Sequence, residues 1–110
     1  MKVTITARHF KAHETLRTYA SDAIQKIERY YTGVVSADMI LSYEKPMNSL
    51  KIAELHVAVS GTVLKAIGKT DDFVKSIDAA VEKIGIQLLK HKSKQREKKK
   101  TVIRLSKEKV

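Results

Sequence analysis

Four stretches of the chain alternate apolar and polar side chains, which is typical of strands with one buried face. The first is residues 2–8, and the other three follow one another as residues 34–44, 50–60 and 62–68. Residues 45–49 contain a proline and an asparagine and predict a turn. The dipeptide Ser60-Gly61 predicts a second, tighter turn. Because short turns join the last three strands, we expect them to form an antiparallel meander.

Two other stretches repeat apolar residues every three or four positions, which indicates amphipathic helices. The first helix is predicted over 14–31. The second is expected to begin at Thr70-Asp71-Asp72, with the Thr70 hydroxyl as its cap, and to run to about Arg96. The resulting order, β-α-β-β-β-α, predicts an α+β fold. In that fold a four-stranded sheet carries both helices on one face and leaves its other face partly open.

Length and composition favour one small domain. The chain has 110 residues, of which 43% are hydrophobic, and no cysteine, so disulfides and thiolate metal sites are excluded. It has neither an apolar run of membrane-spanning length nor a signal-peptide pattern, so we expect a soluble cytoplasmic protein. We expect residues 1–96 to form the domain. Residues 97–110, which begin with a self-repelling charge run, are expected to form a basic flexible tail.

The positive charge is concentrated at the C-terminal end. The whole chain has a net charge of +10. Residues 1–89 hold 12 basic and 10 acidic side chains, whereas residues 90–110 hold 10 basic and two acidic ones. A polyanion is attracted to such an end through counterion release, so nucleic acid is the favoured partner. An anionic membrane surface and a merely solvated basic end are the alternatives.

The second helix concentrates the candidate contacts. Its face opposite the apolar stripe carries basic or polar side chains three to four residues apart, namely Lys83, Gln87, Lys90, His91 and Lys94, with Lys92 beside them. Lys26 and Arg29, near the end of the first helix, join this row if the helices lie side by side. Lysines contact phosphates and read sequence poorly, so backbone or shape recognition is expected. The alternative is an ordinary solvated helix face.

Other chemistry has weaker support in the sequence. His9 and His13 have a four-residue spacing but no third ligand nearby, so a metal site is not expected. Glycine-rich phosphate loops, nucleophile elbows and zinc-protease motifs are absent, so we expect neither an enzyme nor a cofactor. Tyr30, Tyr31 and Tyr43 are interpreted as residues at the edge of the core rather than as platforms for base stacking.

Within residues 72–92, the pairs Ile77-Asp78, Lys83-Ile84 and Gln87-Leu88 are followed by Lys90-His91-Lys92. This pattern resembles the ribosome hibernation promoting factors and ribosome-associated inhibitors, also called the sigma-54 modulation protein family. The resemblance covers about residues 1–96. Departures are found at three places: His9-Phe10-Lys11-Ala12 stands where several members have a glycine after the first strand, Ser76 where a small alanine is usual, and Gly85 where a polar or charged residue is common.

The resemblance implies a fold similar to the double-stranded-RNA-binding domain and a function without catalysis or cofactor. A member of this family is expected to occupy the decoding region of the small ribosomal subunit, to block transfer-RNA and messenger binding, and to be a monomer off the ribosome. The implied rRNA contacts are Lys83, Gln87, Lys90, His91, Lys92 and Lys94, assisted by Lys26 and Arg29. The C-terminal extension can decide in this family whether ribosome dimerisation is promoted or opposed, and this tail leaves both directions open.

Two other functions stay open at this point. One is a general structured-RNA-binding module or ribosomal protein, which would show no preference for ribosomes over other duplex RNA. The other is a membrane-surface or protein-interaction domain that depends on the basic tail. Deletion of residues 97–110 would abolish binding only in the second case.

Overall fold

The structure is a computed structural model and describes residues 1–44 and 50–108, with side chains described for residues 1–44 and 50–93. The turn predicted at 45–49 lies outside the described residues. The elements are β1 (Lys2–Ala7), α1 (Glu14–Gln25), a 3₁₀ helix (Lys26–Arg29), β2 (Val34–Glu44), β3 (Leu50–Val59), β4 (Thr62–Thr70) and α2 (Phe73–Glu108). The predicted order β-α-β-β-β-α is therefore confirmed.

The four strands form one mixed sheet in the order β1-β2-β3-β4. The antiparallel pairing of β2 with β3 and of β3 with β4 confirms the predicted meander. β1 pairs parallel to β2, from Lys2 beside Ser36 to Ala7 beside Leu41, because α1 carries the chain back across the sheet between them. At the turn between β3 and β4, Gly61 has a φ of 85°, a left-handed conformation that glycine adopts without steric cost.

One face of the sheet packs against both helices, as the alternation predicts. Its core side chains are fully or almost fully buried: Ala37, Met39, Leu41, Ala53, Leu55 and Val57 from the strands and Ala20, Ile24, Ile27, Ile77, Ala80, Ile84 and Leu88 from the helices. The opposite face carries polar residues and half-buried or exposed apolar ones such as Ile40, Ile52 and Val63. The fold is thus an α+β sheet with two helices on one side.

The start of α2 differs from the expectation. The cap is Asp72 rather than Thr70, because the Asp72 Oδ1 atom accepts the Val74 backbone N–H at 3.1 Å. The Thr70 hydroxyl instead lies 2.8 Å from the Ser76 Oγ atom, and Ser76 Oγ donates to the Lys51 carbonyl at 2.7 Å. These bonds tie the first turn of α2 to β3 and β4.

The end of α2 is also later than predicted. The helix continues to Glu108 and has 36 residues, a length of about 54 Å at about 1.5 Å per residue. The predicted end near Arg96 is wrong because strong helix formers follow it and neither glycine nor proline interrupts the chain after Gly85. The division at residue 96 into a domain and a tail stays a prediction.

The two helices are joined by a hydrogen bond outside the core. The Tyr19 hydroxyl on α1 donates to the Asp78 Oδ1 atom on α2 at 2.5 Å. That hydrogen bond is the main cause that raises the pKa of Tyr19 above its ordinary value of 10.0, with smaller contributions from burial and from the charges of Asp78 and Asp72.

Replacement of Tyr19 by phenylalanine is expected to lower the free energy of unfolding by about 0.5–1 kcal/mol at neutral pH, since a partly exposed bond to a carboxylate is weakened by water. Because the pKa of Tyr19 is raised in the folded state, this stabilisation is present below pH 10 and lost as the pH rises through the folded pKa. Urea unfolding of the wild type and Tyr19→Phe should therefore differ at pH 7, and the difference should shrink at a pH above the raised pKa of Tyr19. An equal difference at both pH values would contradict this account.

Candidate nucleic-acid interface

The predicted row on α2 lies outside the core, with Lys83 and Gln87 on the side of the helix that passes the edge of the sheet. Lys83 and Lys90 are exposed and Gln87, His91 and Lys92 are half-buried, whereas the core side of the same turns carries the fully buried Ile84 and Leu88. The three- to four-residue spacing therefore does separate a packed face from an accessible one. The side chain of Lys94 lies outside the described residues, although its backbone belongs to α2.

Two members of the row contact the edge of the sheet. The Lys83 Nζ atom donates to the Ile67 carbonyl at 2.7 Å, and the Gln87 Nε2 atom donates to the Lys65 carbonyl at 2.8 Å. β4 is an edge strand, and such strands present unpaired carbonyls that invite pairing with another chain. Lys83 and Gln87 thus protect this edge, a structural role that the sequence alone did not indicate.

A groove lies where the start of β4 meets the middle of α2. It has a volume of about 310 Å³ and is lined by Thr62, Leu64, Gln87, Lys90 and His91. The structure therefore brings three of the predicted site residues together with two that the sequence analysis missed. Thr62 and Leu64 could be found only after the packing of α2 on β4 was known, because nothing in their local sequence marks them.

The second basic group lies on the 3₁₀ helix. Both Lys26 and Arg29 are exposed. The two tyrosines that follow bring this segment against α2: the Tyr31 ring meets the His91 ring edge-on with 5.4 Å between centroids, and Tyr30 lies over Gly85. The segment is therefore adjacent to α2. Among the described residues, no hydrogen bond or ion pair joins Lys26 or Arg29 to the cations of α2, so a single continuous patch stays a prediction.

The accessible cations of both groups form no ion pair with the described acidic side chains. Lys26, Arg29, Lys90 and Lys92 form no ion pair with any acid in the described part of the chain, whereas Lys69 pairs with Glu44 and Lys75 with Asp71 elsewhere. A cation without an internal partner keeps its charge available to a phosphate, and release of the phosphate's counterions favours the contact. The helical side of the molecule therefore presents available positive charge.

The structure also gives observations on a metal site and on a membrane-spanning helix. Within residues 1–44 and 50–93, no three or more His, Asp or Glu side chains are placed to hold a metal ion. In the described residues, no helix has both the length and the apolar character needed to cross a bilayer. The imidazole of His56 lies on the open sheet face, where its Nε2 atom is 3.4 Å from the Glu54 carboxylate.

Comparison with known proteins identifies relatives along most of the chain. Residues 3–96 match the family model described as sigma 54 modulation protein / S30EA ribosomal protein. A ribosome hibernation promoting factor of Azotobacter vinelandii is 33% identical over 98 residues, which are 89% of this chain and 89% of the relative. The protein of the same name from Escherichia coli K12 is 30% identical over 94 residues, covering 86% of this chain and 96% of the relative.

Solved structures share the fold. A ribosomal subunit interface protein from Coxiella burnetii superposes with a TM-score of 0.77 at 22% identity, over 84% of this chain and 99% of the other. The N-terminal domain of Thermus thermophilus Protein Y gives a TM-score of 0.73 at 22% identity, over 83% of this chain and 99% of the other. These superpositions show the shared fold. The family match over residues 3–96 and the relative that is 33% identical show that the chain belongs to the sigma 54 modulation protein / S30EA ribosomal protein family.

Proposed function

We propose that this protein is a ribosome-associated translation inhibitor that binds the small subunit in its decoding region and excludes transfer RNA and messenger RNA by occupancy. The observation that carries the proposal is the set of cations without acidic partners, Lys26, Arg29, Lys90 and Lys92, on the helical side of a chain that belongs to this family. The curated relatives are named ribosome hibernation promoting factors and are matched over almost their whole length.

The geometry supports contact with the RNA backbone rather than base reading by the lysines. Lysine ammonium groups act as point charges toward phosphate oxygens and carry little sequence information. The row on α2 extends along about two turns from Lys83 to Lys92, so it can follow successive phosphates of a folded RNA. The inhibitor would act by filling space, with no bond made or broken and no cofactor, in the cytoplasm where ribosomes work.

The test is co-sedimentation of the purified protein with small subunits, large subunits and a generic RNA duplex over a series of salt concentrations. We expect saturable binding of about one protein per small subunit. The logarithm of the association constant should fall against the logarithm of salt concentration with a slope of about −4 to −5, given about six phosphate contacts and roughly 0.7–0.9 per contact.

Two results would contradict the proposal. Equal affinity for the generic duplex would indicate a general structured-RNA-binding module. Failure to bind small subunits near physiological salt would remove the ribosome from the proposed function.

A further inference from the structure

An apolar strip crosses the cationic helical surface. Tyr30 is 41% exposed, Ile86 50% and Leu89 47%, which is unusual for three large apolar side chains in one part of a small protein. Gly85 lies directly under the Tyr30 ring, and Leu89 follows Gly85 by four residues and Ile86 by three, which is one helical turn. Leu89 therefore lies next to the position that the Tyr30 ring covers, and Ile86 lies next to Leu89, at the junction of the 3₁₀ helix with α2.

The Tyr30 ring is seated with one face against α2. A Cβ atom built on Gly85 would lie 3.2 Å from Tyr30 Cε2 and 3.4 Å from both Cδ2 and Cζ. Nearly equal distances to three successive ring atoms mean that the Gly85 position lies over the ring face, since an edge-on approach would leave two of them much farther away. The absence of a side chain at Gly85 is what lets the ring lie this close to the helix.

The opposite side of that ring is open. Tyr30 makes no side-chain hydrogen bond and no contact with another aromatic ring among the described residues, in contrast to Tyr31, whose ring meets His91. The expectation that all three tyrosines are edge-of-core residues therefore does not fit Tyr30. An aromatic ring held on one face and exposed on the other can stack an unpaired nucleobase.

The positive charges around the apolar strip favour a partner that carries phosphates. Lys26 and Arg29 lie on the 3₁₀ helix that leads into Tyr30, and Lys90 and Lys92 flank Leu89 on α2. None of these cations forms an ion pair with a described acid. A nucleobase on the ring would place its own phosphates among these cations. We propose that Tyr30, supported by Gly85 and bordered by Ile86 and Leu89, is a stacking platform for an unpaired base of structured RNA.

This inference rests on the proposed function, because the RNA in question is that of the ribosome. It adds a base contact to a surface that otherwise recognises phosphates. Stacking on an aromatic ring contributes roughly 1–3 kcal/mol per base, equivalent to a change of about 5- to 150-fold in affinity. The contribution does not involve counterion release, so it should be independent of salt.

The experiment compares Tyr30→Leu with Tyr30→Phe in binding to purified small subunits over the same salt series. Leucine keeps apolar bulk without a ring face, and phenylalanine keeps the ring. We expect Tyr30→Leu to bind about 5- to 150-fold more weakly with an unchanged salt slope, and Tyr30→Phe to bind like the wild type. Circular dichroism and thermal unfolding verify that both variants are folded.

A cross-link identifies the molecule that occupies the platform. With p-benzoylphenylalanine at position 30, irradiation of the small-subunit complex should produce an adduct with ribosomal RNA. An adduct with a ribosomal protein, or a folded Tyr30→Leu protein that binds as the wild type does, would overturn the platform while leaving the proposed function intact. Failure of the wild type to bind small subunits would overturn both.

Discussion

Reversal of two charges on α2, Lys90→Glu together with Lys92→Glu, is expected to weaken binding to the small ribosomal subunit on the order of 100-fold. Neither side chain forms an ion pair with a described acid, so each charge is available to a phosphate. The salt slope should also become less steep by about 2, because two phosphate contacts are lost. The measurement is co-sedimentation over a salt series, with folding verified by circular dichroism.

The matched control is the double variant Lys2→Glu with Lys65→Glu. It changes the net charge by the same amount, but both side chains lie on exposed positions of the sheet face opposite the helices. If the effect comes from local contacts, the control should bind nearly as the wild type does. Equal weakening of both variants would show that only net charge matters and would contradict the assignment of the surface to α2.

Lys83 and Gln87 are deliberately left unchanged in this test. Their side chains donate to the carbonyls of Ile67 and Lys65 on the edge of β4, so substitution there would disturb the fold and the surface together. Lys90 and Lys92 have no such bond among the described residues, and a loss of affinity can therefore be attributed to the missing charges.

The strands and the packed face of the helices were predictable because burial imposes a period. Every second residue is buried from Ala37 to Leu41 in β2 and from Ala53 to Val59 in β3. In α2 the buried positions Ile77, Ile84 and Leu88 recur at helical spacing. The helix boundaries depend on smaller differences in free energy, between alternative capping bonds and in helix propensity. Asp72 rather than Thr70 caps α2, because the Thr70 hydroxyl contacts the Ser76 hydroxyl, which is bonded to Lys51. The length of α2 follows from helix propensity, which the apolar pattern does not show.

The candidate site was predictable only in part for the same reason. The spacing of Lys83, Lys90 and His91 within one helix is visible in the sequence. Contacts between elements are not visible there, such as the bonds from α2 to β4 or the Tyr30 ring over Gly85. An exposed tyrosine and a half-buried one look alike in a single sequence, and only the packing of the 3₁₀ helix on α2 distinguishes Tyr30 from Tyr31.

The second large effect is expected from Gly68→Ala, which should lower the free energy of unfolding by about 3 kcal/mol. Gly68 is buried on β4 beneath the first turns of α2. A methyl group there would overlap the backbone carbonyl oxygen of Ser76 and lie 3.1 Å from the Ala79 Cβ atom. That carbonyl cannot withdraw easily, because the Ser76 hydroxyl is bonded to Lys51 and the Ser76 N–H to Asp72.

The same substitution at Gly85 provides the matched control. There a methyl group would lie 3.2 Å from the Tyr30 ring, which is 41% exposed and can shift by a few tenths of an ångström. The gain in helix propensity, about 1 kcal/mol, offsets that adjustment, so Gly85→Ala should change stability by less than about 1 kcal/mol. Thermal unfolding should therefore separate the variants, with Gly68→Ala lower than wild type by roughly 10–20 °C. If Gly68→Ala unfolds at the same temperature as the wild type, the Ser76 carbonyl does not lie this close to Gly68. A rigid backbone in that position could not accommodate the methyl group without a loss of stability.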